Sequence, residues 1–69
     1  MAIKLTKEWK ELGEEIAVCL RREMPKWRFS VSHIEDLPGV EPHVSIEIER
    51  QTETGRVYTL VLRRRMHLP

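Results

Sequence analysis

At Pro25 the spacing of apolar residues along this chain changes from steps of three and four to steps of two. Those periods belong to one face of a helix and one face of a strand, so the chain divides into a helical segment and an extended one. On the amino-terminal side, Trp9, Leu12, Ile16, Cys19, Leu20 and Met24 form the helical stripe. Gly13 and Ala17 sit beside it and are small enough to let another element approach closely. Thr6 suits the N-cap, because its hydroxyl can accept from a free N–H of the first turn. Glu8, Glu11, Glu14 and Glu15 come early and Arg21 and Arg22 late, which complements the helix macrodipole. Pro25 carries no donor and disfavours a helical Met24, so the helix ends there.

Beyond Pro25, Trp27, Phe29, Val31 and His33 alternate with Arg28, Ser30 and Ser32. Leu37-Pro38-Gly39 signals a turn, and Pro42 closes that loop. Val44, Ile46 and Ile48 then alternate with Ser45, Glu47 and Glu49, and Thr52-Glu53-Thr54-Gly55 supplies a reversal. Last come Tyr58, Leu60 and Leu62, alternating with Val57, Thr59 and Val61. Three successive strands with short connections predict an antiparallel meander. The expected fold is α+β: one N-terminal helix packed on a three-stranded antiparallel meander, αβββ, in a single domain over 1–69. The odd-numbered residues of the first strand and the even-numbered residues of the other two would face the helix. The opposite sheet face, with Val57, Thr59 and Val61 at its apolar end, has no second helix to cover it.

Size makes that bare face matter. Area scaling gives roughly 4,500 Å² of surface for a folded monomer of 8.2 kDa, and chains this short hide too little apolar surface to be comfortably stable. One cysteine excludes an intrachain disulfide. Self-association through Val57, Thr59 and Val61 is therefore expected, as a homodimer of a small protein-interaction module.

Several functions are set aside at this level. The longest apolar run, Ile16-Ala17-Val18-Cys19-Leu20, is far short of the ~20 residues of a membrane span. Met1 to Glu8 lacks the apolar core of a secretory signal, and a lone cysteine fits a reducing compartment, so the expected location is cytoplasmic. The position of Cys19 on the helical stripe predicts a core residue. His33, His43 and His67 lack the short spacing of a metal site. Glu14-Glu15, Glu35-Asp36 and Glu47/Glu49 read as solvated surface, since acid–base catalysis needs carboxyls that converge in a pocket. No phosphate loop, dinucleotide fingerprint or nucleophile elbow is present. The reading is no enzyme, no cofactor and no metal.

Charge supplies the rival reading. Residues 55–69 hold Arg56, Arg63, Arg64 and Arg65 and no acid, although the whole chain carries only +1. These arginines can contact nucleic-acid phosphates or an acidic protein surface. They can equally end the last strand and discourage aggregation at its edge. Arg64 continues the inward phase of Leu60 and Leu62, so the strand either ends before it or bulges there.

The order helix, strand, strand, strand, with the loop Gly39-Val40-Glu41-Pro42-His43, resembles the first four elements of the double-stranded-RNA-binding domain. The resemblance covers roughly residues 6–65 and is one of fold level. It implies that His43, the loop position matching that family's Gly-Pro-x-His pattern, enters an RNA minor groove. The family's lysine-rich final helix has no counterpart before Pro69, and Glu41 beside His43 would repel phosphate.

Overall fold

The structure, a computed structural model, describes residues 4–65; His67 lies outside the described residues. Helix α1 runs Lys7–Glu23. The Thr6 hydroxyl accepts from the Trp9 backbone N–H at 3.1 Å, and the Met24 N–H donates to the Leu20 carbonyl at 2.8 Å just before Pro25. Strands β1 (Trp27–Ile34), β2 (His43–Arg50) and β3 (Glu53–Leu62) form one antiparallel sheet in the order β1-β2-β3. The expected αβββ architecture is what the chain adopts.

Pairing in the sheet follows the alternation. Phe29 lies opposite Ile48, Val31 opposite Ile46, and Ile46 opposite Leu60, all on the helix side. The β2–β3 reversal is tighter than the residues Thr52 to Gly55 suggest. Arg50 pairs directly with Glu53, leaving Gln51 and Thr52 as the turn, and the register then slips before Glu49 meets Val57. Gly55 sits in that irregularity at φ +97°, a backbone conformation that glycine adopts without steric cost. Its N–H donates to Glu49 Oε2 at 2.9 Å.

The face that α1 buries differs from the expected stripe. Trp9, Gly13 and Ala17 are the buried helix residues, joined by Leu5 just ahead of the helix. Leu12, Cys19 and Met24 are exposed. A Cβ on Gly13 would come within 2.5 Å of Val44 Cγ1, so the helix backbone rests almost directly on the fully buried Val44. The smallest residues therefore lie at the centre of the contact, and the helix turns until Leu12 and Cys19 overhang one flank. The expectation of a core Cys19 is corrected accordingly.

Polar contacts hold the other flank. Arg21 Nη2 donates to the Phe29 carbonyl at 2.8 Å, Lys10 lies 3.8 Å from Glu35, and Glu14 lies 3.6 Å from His33 Nε2. Glu35 also accepts from the Leu5 N–H at 3.0 Å. All of these draw α1 toward β1. A helix about 10 Å wide covers two strands spaced about 4.8 Å apart, and here it covers β1 and β2. Tyr58 and Leu60, expected beneath the helix, are instead exposed on its open side.

Candidate functional site

Strand β3 is the most unusual surface of the molecule. Val57 and Val61 point away from the helix and are 48% and 46% exposed; Tyr58 and Leu60 point toward the helix side and are 52% and 48% exposed. Thr59 is exposed between them. Apolar exposure thus follows the strand and wraps both of its faces, whereas the sequence pattern placed it on one face only. On the outer face, β1 and β2 are polar: Arg28 Nη2 donates to Glu49 Oε1 at 3.0 Å, and Ser30 and Glu47 stand opposite each other. Ser45 is nevertheless buried, because it is small and lies between Ser32 and Val61.

β3 is also an edge, with β2 on one side only. From Val57 to Leu62 it has no charge, no proline and no glycine, and natural sheets place such residues on edges to block pairing with other chains. Its Leu62 carbonyl accepts from Trp9 Nε1 at 3.1 Å, which ties the strand's far end to the helix. Beside that contact, Trp9, Leu12, Leu62, Arg63 and Arg64 line an open groove of about 400 Å³ between α1 and β3. At the opposite end of the strand, Tyr58 meets Trp27 edge-on at 6.3 Å, and the Arg50 guanidinium lies 5.3 Å above the Trp27 ring.

The arginines fall at the two ends of the same strand. Arg56 precedes its regular part, and Arg63, Arg64 and Arg65 follow Leu62, where the strand has ended. That ending resolves the phase of Arg64. All four are exposed, and among the described residues no carboxylate lies within ion-pair distance of them. The strand keeps Arg56 apart from the other three, so one chain does not gather them. His43 opens β2 with its Nδ1 2.8 Å from the Glu41 carbonyl, so its ring is held against its own loop. Of the expected site residues, the structure brings Val57, Thr59 and Val61 onto one face and leaves His43 and the arginines dispersed. Sequence reasoning missed Tyr58 and Leu60; their signal was the absence of any second apolar helix to cover a third strand.

Comparison with protein-family models, curated proteins and solved structures returned no significant match. The double-stranded-RNA-binding resemblance accordingly remains one of element order.

Proposed function

We propose that this chain is a small assembly module that acts by binding, with no catalytic role, and that it forms a homodimer through β3. One observation carries the reading: every apolar side chain from Val57 to Val61, on both faces of a free edge strand, is about half exposed. An uncharged segment of this composition pairs with something in water, in order or as an aggregate. Surface area supports an ordered partner. The chain exposes 5951 Å², which is roughly 1,400 Å² above the scaling for a folded monomer. That excess is larger than the roughly 800 Å² that one partner contributes to a standard interface. The exposed lone Cys19 suits a reducing compartment, the cytoplasm, where it stays a thiol.

Sedimentation equilibrium at micromolar concentrations tests this, with Val61→Glu as the perturbation. Placing a carboxylate beside the partner's β3 replaces an apolar cross-strand pair in both copies, at about 0.2–1 kcal/mol each, a roughly two- to thirtyfold rise in dimer Kd. Leu37→Glu, on an exposed residue of the β1–β2 loop, serves as the control and leaves the dimer intact. A folded wild type that stays monomeric at all concentrations refutes the proposal.

A second reading has one observation in its favour. Arg56 and Arg63 to Arg65 are exposed, and among the described residues no carboxylate lies within ion-pair distance of them, as befits residues that meet phosphates. On that reading the module binds nucleic acid, and replacing Arg63, Arg64 and Arg65 together flattens its salt dependence by about two to three units for duplex DNA.

A further inference from the structure

We infer that two copies join edge to edge along β3, antiparallel and centred on Thr59, to make one six-stranded sheet. The inference rests on the homodimer reading and specifies its geometry. Stacking the outer faces would leave Tyr58 and Leu60 bare, since both lie on the helix side of the sheet. Pairing the edges sets the side chains on both faces of β3 beside those of its mate, and it also satisfies the strand's outward backbone groups.

The residues select the register. Opposed residues in an antiparallel pair lie on the same face, so a two-fold axis must pass through a residue and not between two. From Val57 to Val61 the strand reads Val-Tyr-Thr-Leu-Val, which is a chemical palindrome about Thr59: β-branched, large, hydroxyl, large, β-branched. Centred there, Val57 meets the partner's Val61, Tyr58 meets the partner's Leu60, and the two Thr59 residues meet each other. These are the aromatic–aliphatic, β-branched and Thr–Thr pairs that stabilise sheets. Moving the axis to Leu60 sets Val57 against Arg63 and Arg56 against Arg64. Moving it to Tyr58 sets Leu60 against Arg56 and Val61 against Gly55. The Leu60 axis keeps Tyr58 against Leu62 but brings arginine against arginine, and the Tyr58 axis splits the apolar run. The Thr59 axis pairs Val57 to Val61 wholly with one another and sets Leu62 against Arg56. Self-complementarity of this kind is what a two-fold contact requires, and a different partner would have no need of it.

The other edge offers no comparable site. β1 lies under α1, carries Arg28, and has its Phe29 carbonyl engaged by Arg21. Pairing through β3 therefore closes the assembly at two copies.

Disulfide trapping reads the register directly. In a Cys19→Ser background, Thr59→Cys places two thiols on residues whose Cα atoms lie about 4.5–5.5 Å apart, within disulfide range. Val57→Cys alone places them about 13 Å apart at 3.3 Å per residue, and so does Val61→Cys alone. Under mild oxidation Thr59→Cys should cross-link at least tenfold faster than either single variant. A mixture of Val57→Cys and Val61→Cys chains should form the mixed disulfide in preference to either self-disulfide. Amide hydrogen exchange of the wild type supplies a readout free of substitutions: protection from Val57 to Leu62 should rise with protein concentration. If sedimentation shows a dimer but Val57→Cys or Val61→Cys self-cross-links as fast as Thr59→Cys, or β3 gains no protection, the register falls and the homodimer stands. A folded monomer at every concentration overturns both.

Discussion

Replacing Gly13 by alanine tests how α1 is seated, and with it the reason that β3 is uncovered. In an exposed helix interior the change would stabilise by about 1 kcal/mol, because alanine is the better helix former. Here the added Cβ would lie 2.5 Å from Val44 Cγ1. Carbon atoms in contact settle near 3.5–4.0 Å, so the two elements must separate by about 1 Å or Val44 must turn. Val44 is fully buried, with Trp9, Leu5, Val31 and Leu62 packed around it, and has no room to turn. Overpacking of this kind costs about 1–3 kcal/mol, and the larger part of that range outweighs the helix-propensity gain. The expected net loss is about 0–2 kcal/mol. In a domain of this size each kcal/mol lowers Tm by roughly 4–8 °C, so Gly13→Ala should melt no higher than wild type and up to about 8–16 °C below it. Thermal unfolding followed by circular dichroism at one fixed protein concentration measures it, since dimerisation makes Tm concentration-dependent. Val44→Ala should cost less in the Gly13→Ala background than alone, because it relieves the clash. If Gly13→Ala instead raises Tm, the helix is not resting on Val44, and the rotation that exposes Leu12 and Cys19 is wrong.

Two other expectations follow from the same geometry. Cys19 is exposed, so a thiol reagent should label the native protein stoichiometrically and at a rate close to that of the unfolded chain; slow native labelling would put Cys19 back in the core. In the Thr59-centred dimer Arg56 stands opposite the partner's Leu62, so Arg56→Leu should tighten the dimer, as read by sedimentation equilibrium. No change or a weakening would contradict the register.

The element order was legible because each period is long and each boundary is marked: Thr6 and Pro25 bound the helix, and Leu37-Pro38-Gly39 separates β1 from β2. The rotation of α1 was not. Two overlapping stripes share Trp9, Ile16 and Leu20; one adds Leu12 and Cys19, the other Gly13 and Ala17. Hydrophobicity favours the first, because glycine and alanine carry little apolar weight. Close approach of backbones favours the second, and a periodicity cannot register that. Val57, Thr59 and Val61 were readable as an unpaired face, since their alternation fixes their side of the sheet. Tyr58 and Leu60 were misread because alternation says which face a side chain takes, and nothing about how far a helix reaches across that face.

The width of a helix connects these points. One helix shields about two strands, so an αβββ chain always has one strand with no helix above it. Which strand that is depends on the lateral position of the helix. Lys10, Glu14 and Arg21 each contact residues of β1 or of the loop after it, while Leu12 and Cys19 lie off that contact and stay exposed. If β3 were meant to face water alone, its exposed positions would carry charges, as Arg28, Glu47 and Glu49 do on the outer face of β1 and β2. It carries Val-Tyr-Thr-Leu-Val-Leu instead, and places its arginines only at the two ends. Such flanking charges discourage unlimited stacking of strands, because each added chain brings more like charge to the same two rows. Pairing that ends at two copies leaves those charges at the rim, in solvent. An uncharged, self-complementary centre between charged ends is thus the pattern of an edge that pairs once.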